Sequence, residues 1–142
     1  MSATHDLQRF VDAQDPLYDR VVGELSRGRK TSHWMWFIFP QVAGLGFSAM
    51  AQRYAIQSRD EAEAYLAHDS LGPRLQQCTE LVCAVSDTSI RDILGAPDDA
   101  KFRSSMTLFK AVSGRDTFAQ ALAKYYDGDD AATLKILRSW QA

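Results

Sequence analysis

A chain of 142 residues has the usual size of one domain and is long enough to enclose a hydrophobic core without metal or disulfide support. Its composition, 46% apolar and 24% charged with seven Phe, five Tyr and three Trp, excludes a disordered chain. A formal charge of −2 supplies no global field toward nucleic acid or an anionic membrane, so general nucleic-acid binding is not expected.

Met1 to Phe10 carries His5, Asp6, Gln8 and Arg9 where a secretory leader needs an apolar stretch, so no leader is expected. Leu7, Phe10 and Val11 recur at helical spacing and predict a short first helix ending near Gln14, with Asp15-Pro16 as the cap and first residue of a second. That second helix presents Leu17, Tyr18, Val21, Val22 and Leu25 on one side and terminates at Gly28. Arg27, Arg29 and Lys30 cluster around its C-terminal end, where cations are favoured.

Across residues 31–47 the helical period is lost. Trp34, Trp36 and Ile38 alternate with Met35, Phe37 and Phe39, but both sets are apolar, which predicts an extended or irregular segment running through the core. The run stops at Pro40 and Gln41, far short of the roughly 20 residues of a bilayer span, so no membrane helix is expected.

Ser48 to Tyr54 reads as a short helix, and Ser58 to Glu61 is a capping box opening a helix that carries Ala62, Tyr65 and Leu66. Leu71, Leu75, Cys78, Val82 and Val85 predict an amphipathic helix over 71–85. Cys78 and Cys83 point to different faces of it, which excludes a mutual disulfide and fits a reducing cytoplasm. A short helix after Ser89 stops at Gly95. Phe102, Met106, Phe109 and Val112 mark the next, from Asp98 to Gly114, and Phe118, Leu122 and Tyr125 mark another before Gly128. Leu134, Leu137 and Trp140 mark the last, capped by Asp129 or Asp130. The expected fold is mainly α, a single domain over residues 1–142 with about eight helices and an irregular or extended aromatic segment at 31–47.

His5, His33 and His68 stand too far apart for a local ligand pair, and neither HExxH nor paired CxxC occurs, so no metal site is expected and no cofactor is implied. Walker A, GxGxxG and GxSxG motifs are absent as well, which sets aside the common nucleotide-triphosphate, dehydrogenase and α/β-hydrolase classes. Two clusters remain. The first is Lys30, His33, Trp34, Trp36 and Gln41, where an imidazole can move protons, indoles can stack on a planar ring and a cation can hold phosphate. The second is Asp98, Lys101, Ser105 and Thr107; Asp98, Lys101 and Ser105 share one side of a helix beside the apolar Phe102, Met106 and Phe109. Both clusters also have a plain structural reading, in which the aromatics fill a core, His33 caps a turn, the cations stay solvated and Asp98 is an N-cap.

The segments KTSHWMWFIFPQ, GLG, YAI, EAEAYL, LGPRL and GAPDDAKFRSSMTLF resemble, in order, the bacterial family catalogued as domain of unknown function 1810. The resemblance runs from Leu7-Gln8-Arg9-Phe10 to Thr133-Leu134 and implies no established activity. That family is in turn distantly similar to the YbiA-like, or NADAR, proteins, through the order of elements and the Lys101-Phe102 helix followed by Phe109. This second similarity implies a YbiA-like fold, an ADP-ribose or related riboside ligand and cleavage of an N-glycosidic bond. The EH-containing motif of that group has no counterpart here, so no catalytic residue carries across from it.

The expectation is a nucleotide- or ADP-riboside-binding domain with N-glycosidase-type hydrolase activity, its site lying between the His33 to Gln41 segment and the Asp98 to Thr107 helix. In it Trp34 or Trp36 stacks on the base, Lys30 and Lys101 hold phosphate, Ser105 and Thr107 bind ribose, and His33 or Asp98 assists proton transfer, with Gln41 among the substrate-binding residues. The alternative is a non-enzymatic protein-binding or regulatory module that docks a partner through the same aromatics.

Overall fold

The structure, a computed structural model, describes residues 5–140. Met1 to Thr4, part of the expected leader-free N-terminus, and the last two positions of the expected 1–142 domain lie outside the described residues. Ten helices form among them where about eight were expected: α1 (Gln8–Gln14), α2 (Tyr18–Ser26), α3 (Met35–Ile38), α4 (Ala49–Arg53), α5 (Arg59–Ala67), α6 (Leu71–Ala84), α7 (Ile90–Leu94), α8 (Asp98–Ser113), α9 (Asp116–Tyr125) and α10 (Ala131–Ser139). Among the described residues the one extended pairing is a parallel bridge between Val42 and Ile56, and no helix is long and apolar enough to cross a membrane.

The helix that periodicity did not anticipate is α3. Met35, Phe37, Ile38 and Phe39 are all buried, and a run apolar on every side carries neither a helical nor a strand period. The segment closes one helical turn, with the Ile38 and Phe39 amides donating to the Trp34 and Met35 carbonyls, before Pro40, which has no amide to continue it. Gln14 holds this turn against α1 by donating from Nε2 to the Phe37 carbonyl at 2.6 Å and to the Tyr65 hydroxyl at 3.0 Å.

The serine caps form where their positions predict, and one of the aspartate caps does. Ser58 accepts from the Glu61 amide, Ser89 from Asp92, and Asp130, not Asp129, from Thr133. Asp15 does not cap α2: it continues the helical backbone at the end of α1 (φ −52°, ψ −48°), Leu17 takes the cap position, and the Asp15 carboxylate pairs with Arg74 at 2.8 Å.

At the centre stands α8, packed by α5, α7, α9 and α10. Residues Ser104 through Phe109 are buried without interruption, so the helix is enclosed on all sides and is not half solvated as the two-stripe pattern suggested. Phe102 meets Phe39 edge-on at 4.9 Å, and Phe109 lies between Tyr65 and Phe118. Beside it, α6 packs on α2, α5 and α9. The α5–α6 corner is tight: a Cβ on Gly72 would sit 2.1 Å from the Leu66 carbonyl oxygen. His68 caps this corner, its Nδ1 accepting from the Ser70 and Leu71 amides at 3.0 and 3.2 Å.

Candidate functional site

The site is organised by a residue that no sequence motif marks. Glu24, on the buried side of α2 beside Val21 and Leu25, is 1% exposed. Its Oε1 accepts from the Thr31 amide at 2.8 Å, the Ser32 amide at 3.0 Å and the Trp34 indole at 3.0 Å, while Oε2 accepts from the Ser32 hydroxyl at 2.6 Å. Burial by itself raises the carboxyl pKa; the Ser32 hydroxyl, the Thr31 amide, the indole and the Ser32 amide together outweigh it and bring it down to about 2. Residues 31–34 are thus wrapped around a buried anion. The signal in the sequence was an acid set among apolar helix positions.

Two lysines and two indoles then meet around Asp98. Lys30 Nζ lies 2.8 Å from Asp98 Oδ2 and 5.1 Å from the centre of the Trp34 ring. Lys101 Nζ lies 3.7 Å from Asp98 Oδ1 and 5.2 Å from the Trp36 ring. Five of the residues singled out in two distant segments are therefore brought together. Asp98 does not cap α8: Pro97 occupies the cap position, Asp98 is the first helical residue, and each of its oxygens faces a lysine.

Several other expectations are corrected. Trp34 is fully buried, so neither face of its indole is open to a base; Trp36, half-buried under Lys101, is the more accessible of the two. Ser105 and Thr107 point into the core and not at a ribose, because α8 is enclosed. Thr107 donates to the Arg103 carbonyl and accepts from the Asp130 amide, whereas Ser105 Oγ has no partner among the described residues. His33 is exposed, and its ring makes no hydrogen bond to the described residues. Of the aromatics through which a partner would dock, Trp34, Phe37 and Phe39 are interior and Trp36 is half-buried; among the described residues the large apolar side chain that stands exposed is Phe47, at 83%.

Gln41 and Lys101 share the wall of a cavity of about 260 Å³ between the loop after α3 and the first turns of α8. Small residues Gly46, Ala100 and Ala132 leave the room, and Asp130 at the start of α10 completes the polar lining. The Asp130 cap bonds, from the Thr133 amide and hydroxyl, both land on Oδ2, so Oδ1 has no partner among the described residues. Asp130 was legible only as a cap, although the doubled Asp129-Asp130 offered two acids where one cap was needed. Among the described residues no three His, Cys, Asp or Glu side chains converge to hold a metal.

Among solved structures, the chain is similar to the conserved hypothetical protein Rv1873 from Mycobacterium tuberculosis. The two share 55% identity with a TM-score of 0.92, over 94% of this chain and 96% of that one. No curated protein matches the chain. The expected YbiA-like relationship does not appear among these similarities. The family described as "Protein of unknown function (DUF1810)" matches residues 4–137, and the chain belongs to it.

Proposed function

We propose that the protein binds a small riboside or nucleotide in the pocket between Gln41 and the N-terminal half of α8. The observation that carries this reading is the convergence in one cavity of the Gln41 amide, the Lys101 ammonium, paired with Asp98 only at 3.7 Å, and Asp130 Oδ1, which accepts no hydrogen bond from the described residues. Lys101, set by Asp98 and the Trp36 ring, supplies a cation for phosphate, and Asp130 supplies an acceptor for ribose hydroxyls. A volume of about 260 Å³ lies just below the usual range for drug-sized ligands, so it suits a nucleoside or sugar phosphate better than a dinucleotide. Hydrolysis of an N-glycosidic bond would further need a carboxylate to accept a proton from the attacking water. Asp130 is the acid lining this pocket and fits that role better than Asp98, whose oxygens both face lysines. His33 lies outside the lining and has no part in this reading.

Isothermal titration of ribose 5-phosphate, adenosine and ADP-ribose into wild type, Lys101→Ala and Asp130→Asn tests the assignment. Asparagine caps a helix as well as aspartate, so Asp130→Asn keeps the fold while removing the charge. Saturable binding, weakened about tenfold in both variants by loss of a charge-assisted hydrogen bond, supports the reading. Absence of binding by every ribose compound, or binding that neither variant alters, overturns it.

A further inference from the structure

A second and larger cleft, about 650 Å³, opens where the end of α2 and its following loop face α7. Arg27 and Arg29 reach it from one side and Arg91 from the other, against a single lining carboxylate, Asp92. Among the described residues none of the three guanidiniums has an ion-pair or hydrogen-bond partner, so all three are free to face the cleft. Lys30 also lines the cleft, but its ammonium is already held by Asp98.

Favourable placement of cations at a helix C-terminus accounts for Arg27 and Arg29. Arg91, in the one turn of the short α7, comes from a different element some sixty positions along the chain and adds like-charge repulsion to the same concavity, which placement at a helix end does not require. Nor does the chain as a whole carry an excess of cations, its formal charge being −2. At the rim, Gly95 holds φ +83°, and a Cβ there would meet nothing within 4 Å, so the wall beside the arginines stays open.

We infer that this cleft is a binding site for a small condensed phosphate, of the pyrophosphate class, held by Arg27, Arg29 and Arg91. Guanidinium forks bind phosphate oxygens bidentately, and two linked phosphate groups offer enough oxygens for three of them. The concave shape, within the usual volume of small-ligand pockets, favours a compact anion over the extended basic track of a nucleic-acid binder. The site uses none of the three groups on which the riboside pocket depends, so each can fail without the other.

The test is calorimetric titration of inorganic pyrophosphate into the full chain, wild type and the variants Arg29→Gln, Arg91→Gln and Lys101→Ala. The arginines are exposed, and their substitution leaves the core untouched. The expected result is saturable binding that weakens with added salt, falls at least about tenfold in each arginine variant and stays within about twofold in Lys101→Ala. Orthophosphate should bind more weakly and tripolyphosphate more tightly. The inference is overturned by any one of three results: no pyrophosphate binding at low ionic strength, binding lost in Lys101→Ala but kept in the arginine variants, or tighter and length-dependent binding of single-stranded oligonucleotides.

Discussion

The indole Nε1–H of Trp34 donates to Oε1 of Glu24 across 3.0 Å in the interior, where neither residue is more than 1% exposed. This bond ties the aromatic segment to α2 and, through the stacked Lys30, sets the geometry around Asp98.

Glu24→Gln should therefore destabilise the protein in a pH-dependent way. The folded-state pKa of about 2 lies below the ordinary 4.5, so the stabilisation is fully present above pH 4.5 and is lost as pH falls toward 2. At 1.36 kcal/mol for each pKa unit, the difference between wild type and variant should reach about 3 kcal/mol at neutral pH and narrow progressively below 4.5. Urea denaturation across this range measures it. A gap that stays constant with pH would show that the charge on Glu24 contributes nothing.

Ser105→Ala should be neutral or stabilising by up to about 1 kcal/mol, because it removes a buried hydroxyl that has no hydrogen-bond partner among the described residues. Riboside affinity should not change. Thermal unfolding and the same titrations used above decide it, and a loss of affinity at unchanged stability would return Ser105 to the binding site.

Gly72→Ala should be strongly destabilising even though alanine is the better helix former. The new Cβ would collide with the Leu66 carbonyl, a backbone atom that cannot rotate away, so α5 and α6 must separate. A cost of roughly 3 kcal/mol, at the upper end for overpacking, is expected in chemical denaturation. A variant of wild-type stability would mean that this corner is looser than the geometry requires.

Native Cys78 should resist alkylation at pH 8. Burial pushes its thiol pKa up to about 12, an effect that the Tyr18 hydrogen bond and Arg74 only partly offset. Burial also raises Cys83, though it is half-exposed and has Lys124 nearby to oppose the shift. Iodoacetamide labelling read by mass spectrometry should show Cys83 modified first and Cys78 only at the rate of unfolding. Rapid labelling of Cys78 would mean that the α2–α6 contact opens readily.

Where one face of a helix is buried, its apolar positions announced it. The Leu71, Leu75, Cys78 and Val82 series marked α6, and all four are buried. Serine caps were legible for the same reason, since Ser58 and Ser89 bond to amides only three residues away. The two clusters of chemistry-bearing residues were legible as clusters, and the structure brings Lys30, Trp36, Asp98 and Lys101 together from both. What each residue does in that meeting was not legible. Trp34 and Trp36 differ by two positions and have the same side chain, yet one is sealed in the core and the other lies half-open beneath Lys101.

By itself, the amino-acid sequence determined a mainly helical protein, most of its helix boundaries and its family, because period, caps and turn residues act over a few positions. The tertiary structure alone decided that α3 is a helical turn, that Ser105 and Thr107 are interior, that Asp130 faces a cavity and that Arg91 joins Arg27 and Arg29. Each of these depends on which remote surface covers a side chain, and burial against a distant element leaves no local period to read.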